Sequence, residues 1–125
     1  MPRRKKLPDR VFLTAAAAAV LFVGPGVSAQ GKLPPYPEAL RCAALTNAAA
    51  KIGKGTPQES VLFDHTIFWG MAASDAGRTA GKNAKAVEAE VARDGAAAES
   101  RLRAQDGATS AALAACVRQV PALKD

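Results

Sequence analysis

This chain is short of the residues from which most active sites are built. Its 125 residues include one histidine, one tryptophan, one tyrosine and two cysteines, and aromatic side chains make up 5% of the total. A structural zinc site wants four ligands, usually in close-spaced pairs, and isolated Cys42 and Cys116 with a distant His65 do not supply them. Neither cysteine belongs to a C-x-x-C pair, the usual setting of a redox thiol. Gly53-Lys54-Gly55-Thr56 and Gly81-Lys82 fail the spacing of a phosphate loop and follow no strand, so both read as helix punctuation. Strand-like alternation and internal repeats are also missing.

What is present begins with a three-part N-terminus. Arg3, Arg4, Lys5, Lys6 and Arg10 face a single acid, Asp9, and an apolar run follows from Val11 to Val23. Gly24-Pro25-Gly26 then breaks that run before Val27-Ser28-Ala29. This is the order of a cleavable signal peptide over residues 1–29, with cleavage expected between Ala29 and Gln30. The apolar run is too short to cross a bilayer: thirteen residues at about 1.5 Å each reach about 20 Å of a roughly 30 Å core. The expected location is the periplasm or the cell exterior, with membrane contact through the signal peptide only. Arg3-Arg4 leaves the twin-arginine route open beside the general secretory one.

Removing that segment changes the charge argument. The whole chain carries a formal +6, but the leader holds five basic residues against one acid, so residues 30–125 carry only +2. Nucleic-acid binding loses most of its compositional support. Both cysteines lie in the exported part, where an oxidising compartment favours a Cys42–Cys116 disulfide.

Residues 30–37 contain Pro34, Pro35 and Pro37 and predict an extended leader. A helical domain is expected over residues 38–125. Its first helix runs from about Glu38 to Ile52 on the ladder Leu40, Ala44, Ala48 and Ile52, with Leu45 beside it, and stops at Gly53. Thr56-Pro57-Gln58-Glu59 predicts the start of the second, with Thr56 as cap and Glu59 reaching back to the cap amide; Gly81 ends it. The third follows an Asn83 cap, with Ala84, Val87, Val91, Gly95, Ala98 and Leu102 on one face and Gly95 marking close approach of a neighbour. The fourth starts at an Asp106 cap and ends before Pro121, with Leu113, Cys116, Val117 and Val120 as its stripe. These elements predict an all-α fold: a small, alanine-rich, antiparallel bundle of about four helices, stapled by one disulfide. With the end of helix 4 beside the start of helix 1, the two cysteines would lie level.

Helix 2 carries three of the four aromatic residues of the exported part. Val61, Leu62, His65, Phe68, Trp69, Ala72 and Ala76 cover one broad face, and Phe63, Ile67 and Met71 lie nearly opposite. Two apolar sides predict a central helix packed against more than one neighbour, the other reading being a stripe left open for a partner. A haem site fails because His65 and Met71 point in different directions and no attachment motif exists. As a general base His65 lacks a partnered nucleophile, so a packed or boundary histidine is expected. Glu88 and Glu90 do not share a helix face and read, like the Glu99–Arg103 pair, as solvated charges.

No catalytic group, metal or cofactor is therefore expected, and the chain reads as a non-enzymatic protein-interaction module of the chaperone, inhibitor or adaptor kind. Phe63, Ile67 and Met71 are one candidate contact for an unknown protein partner. The alternative is a binder of a small apolar ligand held between helices at His65, Phe68 and Trp69. A third candidate contact is the turn between helices 2 and 3. Those helices exceed the other two in length, so their hairpin should project about 10 Å at Gly81 and present Arg78, Lys82 and Lys85.

Overall fold

In a computed structural model, residues 33–121 can be described; the expected signal peptide, its cleavage point and residues 122–125 lie outside the described residues. Four helices pack together: α1 (Tyr36–Ile52), α2 (Glu59–Thr79), α3 (Ala84–Arg103) and α4 (Gly107–Arg118). Cys42 and Cys116 are joined by a disulfide.

Of the four helix ends expected at Thr56, Gly81, Asn83 and Asp106, three form as the sequence suggests. Asn83 accepts from the Ala86 amide at 2.8 Å, and Asp106 accepts from the Thr109 amide at 2.9 Å. Gly81 takes φ +85°, which lets the Lys82 amide donate to the Gly77 carbonyl and the Gly81 amide to the Arg78 carbonyl. The same double closure ends α3, where Gln105 rather than glycine holds φ +62°. At the start of α2 the expected capping box is replaced by a tighter turn. Thr56 Oγ1 donates to the Gly53 carbonyl and accepts from the Gln58 amide, while Glu59 accepts from the Gly55 amide instead of the Thr56 amide. Helical structure consequently begins at Glu59, past Pro57.

The central helix is α1, not α2 as its two apolar sides suggested. Ala39, Cys42, Ala43, Ala44, Leu45, Thr46, Ala48 and Ala49 are all buried, and α2, α3 and α4 pack around them. From Cys42 to Ala50 no residue is charged, and the side chains are small enough for neighbours to approach from several directions. Thr46, the one polar residue buried there among the described residues, donates to the Cys42 carbonyl at 2.8 Å. Ile52, the last rung of the expected ladder, is left exposed at the helix end.

Contacts set the directions of the first three helices. Tyr36 lies against Gly77, Thr66 Oγ1 sits 3.1 Å from the Thr46 carbonyl, and Gly53 faces Leu62, so α2 runs against α1. Tyr36 also meets Val87 and Glu90 while Gly95 faces Ala44 and Asn47, so α3 runs with α1. The two cysteines lie level as expected, with Cα atoms 5.5 Å apart, but the end of α4 does not return beside the start of α1. The first turn of α4 shares a cleft with Leu40, Arg41, Ala98 and Arg101, and its last lies beside Val61, His65 and Phe68, in the N-terminal half of α2. The end of α4 is thus away from the Gly81 turn. The disulfide joins the second turn of α1 to that departing end.

Candidate functional site

Helix α2 buries a narrower and differently turned face than its pattern suggested. Trp69, Ala73, Ala76 and Gly77 are buried, whereas Leu62, His65, Phe68 and Ala72 are only half-buried and Val61 is exposed. The small residues Ala73 and Gly77 take the line of closest approach, because only they let the α2 backbone reach the alanine-faced α1. The large apolar side chains flank that line. Roughly a quarter of the way round the helix from it, Phe63, Ile67 and Met71 are 57%, 45% and 63% exposed, with Phe63 at the rim of a cleft shared with Asn47, Ala50 and Lys51 of α1. The expectation that a second neighbour covers this stripe is therefore overturned among the described residues: α1 holds the central place and leaves α2 with one packed side.

The His65 region forms a groove between α2 and α4. Val61, His65, Ile67 and Phe68 line one wall and Val117, Val120 and Pro121 the other, enclosing about 630 Å³. His65 Nδ1 is buried and has no hydrogen-bond partner among the described residues. Trp69 stands apart from this groove. It is 1% exposed, its indole N–H donates to the Cys116 carbonyl at 3.0 Å, and Phe68 meets it edge to face at 5.3 Å. Of the three residues expected around an apolar ligand, His65 and Phe68 face the groove and Trp69 is committed to the core.

At the Gly81 turn the three expected cations have different surroundings. Arg78 pairs with Asp75 on the solvent side. Lys82 donates to Glu90 Oε2 at 3.0 Å and lies 5.3 Å from the centre of the Tyr36 ring. Lys85 is exposed and makes no ion pair among the described residues. The turn does not project freely on the α1 side, because α1 begins at Tyr36 rather than Glu38 and its first residue braces Gly77 and Val87.

That brace is a polar cluster the sequence did not disclose. The Tyr36 hydroxyl donates to Glu90 Oε1 at 2.7 Å. Burial, with Glu90 as acceptor, pushes the Tyr36 phenol up to about 12. Hydrogen bonds from Tyr36 and Lys82 hold the Glu90 carboxyl below its ordinary range. Tyr36 reads as leader because it sits between prolines, and Glu90 as a solvated acid because it shares no helix face with Glu88. The available signal was the spacing of Glu90 from Val87, which places both on the flank facing the start of α1.

Comparison with family models, curated proteins and solved structures gives no match to this chain. Function rests on the geometry. Among the described residues no group of three or more histidine, cysteine or acidic side chains is placed to hold a metal ion, and both cysteines there are consumed in the disulfide. The arrangement offers two kinds of contact: an exposed apolar stripe on α2 and a groove with one unsatisfied imidazole nitrogen.

Proposed function

We propose that residues 30–125 form a non-enzymatic protein-interaction module acting outside the cytoplasm, in the periplasm or beyond, with the outer face of α2 as its contact surface. The observation that carries this reading is the exposure of Phe63, Ile67 and Met71 along a single helix face. Scattered exposed apolar residues are ordinary, but a continuous stripe on one element is the usual mark of an interaction surface. The signal-peptide pattern of residues 1–29 supports the location, and the modest charge of the remainder argues for a protein rather than a nucleic-acid partner.

The test is photo-crosslinking from Phe63 and Met71 in the exported protein, with Arg93 on the exposed side of α3 as the control. Protein adducts at both stripe positions and none at Arg93 are the expected result. Failure at both stripe positions would remove α2 as the contact surface.

The groove at His65 favours a second reading, a binder of a small apolar molecule carrying one polar group. Its support is the buried Nδ1 without a partner beside Val61, Phe68, Val117 and Val120. Native mass spectrometry of oxidised protein from its own cells decides this: a retained small molecule, lost in a Val117→Trp variant that fills the groove, supports it. A chain carrying no added mass counts against it.

A further inference from the structure

The outer face of α2 has an order that a general sticky patch would not need. Glu59, Phe63, Ile67, Gly70, Ser74 and Arg78 follow one another at steps of four, four, three, four and four. All six therefore fall within about a third of the helix circumference. The set is symmetric in position about a point between Ile67 and Gly70. It is complementary in character about the same point: acid against base at the ends, large against small within. Reversing the helix and laying it on itself sets Phe63 over Ser74, Ile67 over Gly70 and Glu59 beside Arg78, each twice.

Gly70 supplies a separate observation. It stands in the middle of a 21-residue helix, where glycine is disfavoured, and a Cβ built on it would meet nothing within 4 Å. Among the described residues no packing asks for glycine there. A backbone free of side chain on the outer face is what a second helix needs in order to come close.

We infer that α2 is a self-association surface, and that its occupant is a second copy of this chain bound antiparallel about a twofold axis between Ile67 and Gly70. This rests on the reading of α2 as a protein-contact surface and names the partner. Residue i then touches residue j of the other copy while j touches i, the condition for a closed dimer. Met71, at the edge of the stripe, adds to the apolar rim. The chemistry at the ends is available: Glu59 and Arg78 are both exposed and, among the described residues, held only by the Gly55 amide and by Asp75, so each can turn to its counterpart. A contact made of one helix face buries about 800 to 1,000 Å² in total, which is the range of reversible rather than obligate association.

Sedimentation equilibrium on the oxidised protein is the test. Its mass should rise from one chain toward two between about 10 μM and about 1 mM. Ile67→Asp should abolish the rise. Gly70→Gln should raise the melting temperature, since glutamine is the better helix former and finds open space, yet also abolish association. Glu59→Arg and Arg78→Glu should each weaken association about fivefold or more, and the two together should restore it. A chain that stays monomeric to about 1 mM overturns the inference, as does a dimer that survives Ile67→Asp or a charge exchange that fails to rescue. A monomer whose Phe63 and Met71 crosslink to a different protein overturns the second copy while leaving α2 as a contact surface. A monomer with no crosslinks removes both.

Discussion

Tyr36 shows how one side chain can decide where a helix begins. Prolines on both sides suit an extended segment, yet Pro37 is tolerated in the first turn, where its missing N–H would have no partner. The ring closes over Gly77 and Val87 and its hydroxyl reaches Glu90, so folding Tyr36 into α1 gains both burial and a charge-assisted hydrogen bond. It is the only tyrosine in the chain, so its titration can be followed directly by ultraviolet absorbance. The folded state favours the neutral phenol, and its stabilising contribution should be complete below the ordinary value near 10 and vanish as pH rises through about 12. Glu90 has the opposite sense: its depressed carboxyl contributes above the ordinary range and loses that contribution as pH falls through its folded value. Tyr36→Phe should cost about 1 kcal/mol at neutral pH, with the gap from the parent narrowing toward pH 12. A folded-state phenol midpoint near 10 would show that Tyr36 is neither buried at the start of α1 nor bonded to Glu90.

Element by element, the packing is governed by how closely backbones approach, and two glycines report it differently. A Cβ on Gly77 would lie 2.6 Å from Val87 Cγ2 and 3.2 Å from the Tyr36 ring, and a β-branched valine has little freedom to move aside. On Gly95 a Cβ would meet the Ala44 carbonyl and Asn47 at 3.6 Å, an ordinary contact. The expectation that Gly95 marks a close approach is met in position, since it is buried against α1, but the space there accepts alanine. Gly77→Ala should therefore lose about 1 to 3 kcal/mol, and Gly95→Ala should gain up to about 1 kcal/mol from helix propensity. Thermal denaturation followed by circular dichroism separates the two, and similar losses at both positions would contradict the spacing of α3 from α1.

For the molecule as a whole the disulfide carries more than its share. Half of the residues in the core cluster are alanines, with Trp69, Leu45, Val87 and Tyr36 as the large contributors, so the apolar area removed from water per residue is small. Cys42 and Cys116 are 74 positions apart, and in the chain-entropy account closing such a loop removes about 4 kcal/mol of unfolded-state freedom. That is comparable with the entire stability of many small domains. Reduction should lower the melting temperature by about 15 to 30 °C. Trp69 is the natural reporter: the only tryptophan, buried, and hydrogen-bonded to the carbonyl of one bridged cysteine. Its emission should shift to longer wavelength as α4 detaches on reduction, and unchanged emission and melting would show that the helices hold without the bridge.

Helix existence, three of the four expected helix ends and the cysteine pairing were legible in the sequence, because caps, left-handed glycines and i, i+4 ladders are local and two cysteines allow one intramolecular pairing. The stripe of Phe63, Ile67 and Met71 was legible too, as a pattern. Whether it is covered depended on which helix takes the centre. Periodicity shows that a face is apolar but says nothing of how near its neighbour can come. Tertiary packing settled that in favour of α1, whose uncharged run of small residues admits neighbours on several sides, and it turned α2 so that Trp69, Ala73 and Gly77 face inward while Phe63, Ile67 and Met71 are left outside. The link from Tyr36 to Glu90, 54 positions apart, was decided in the same way, since a hydrogen bond between distant residues exists only once the helices have taken their places.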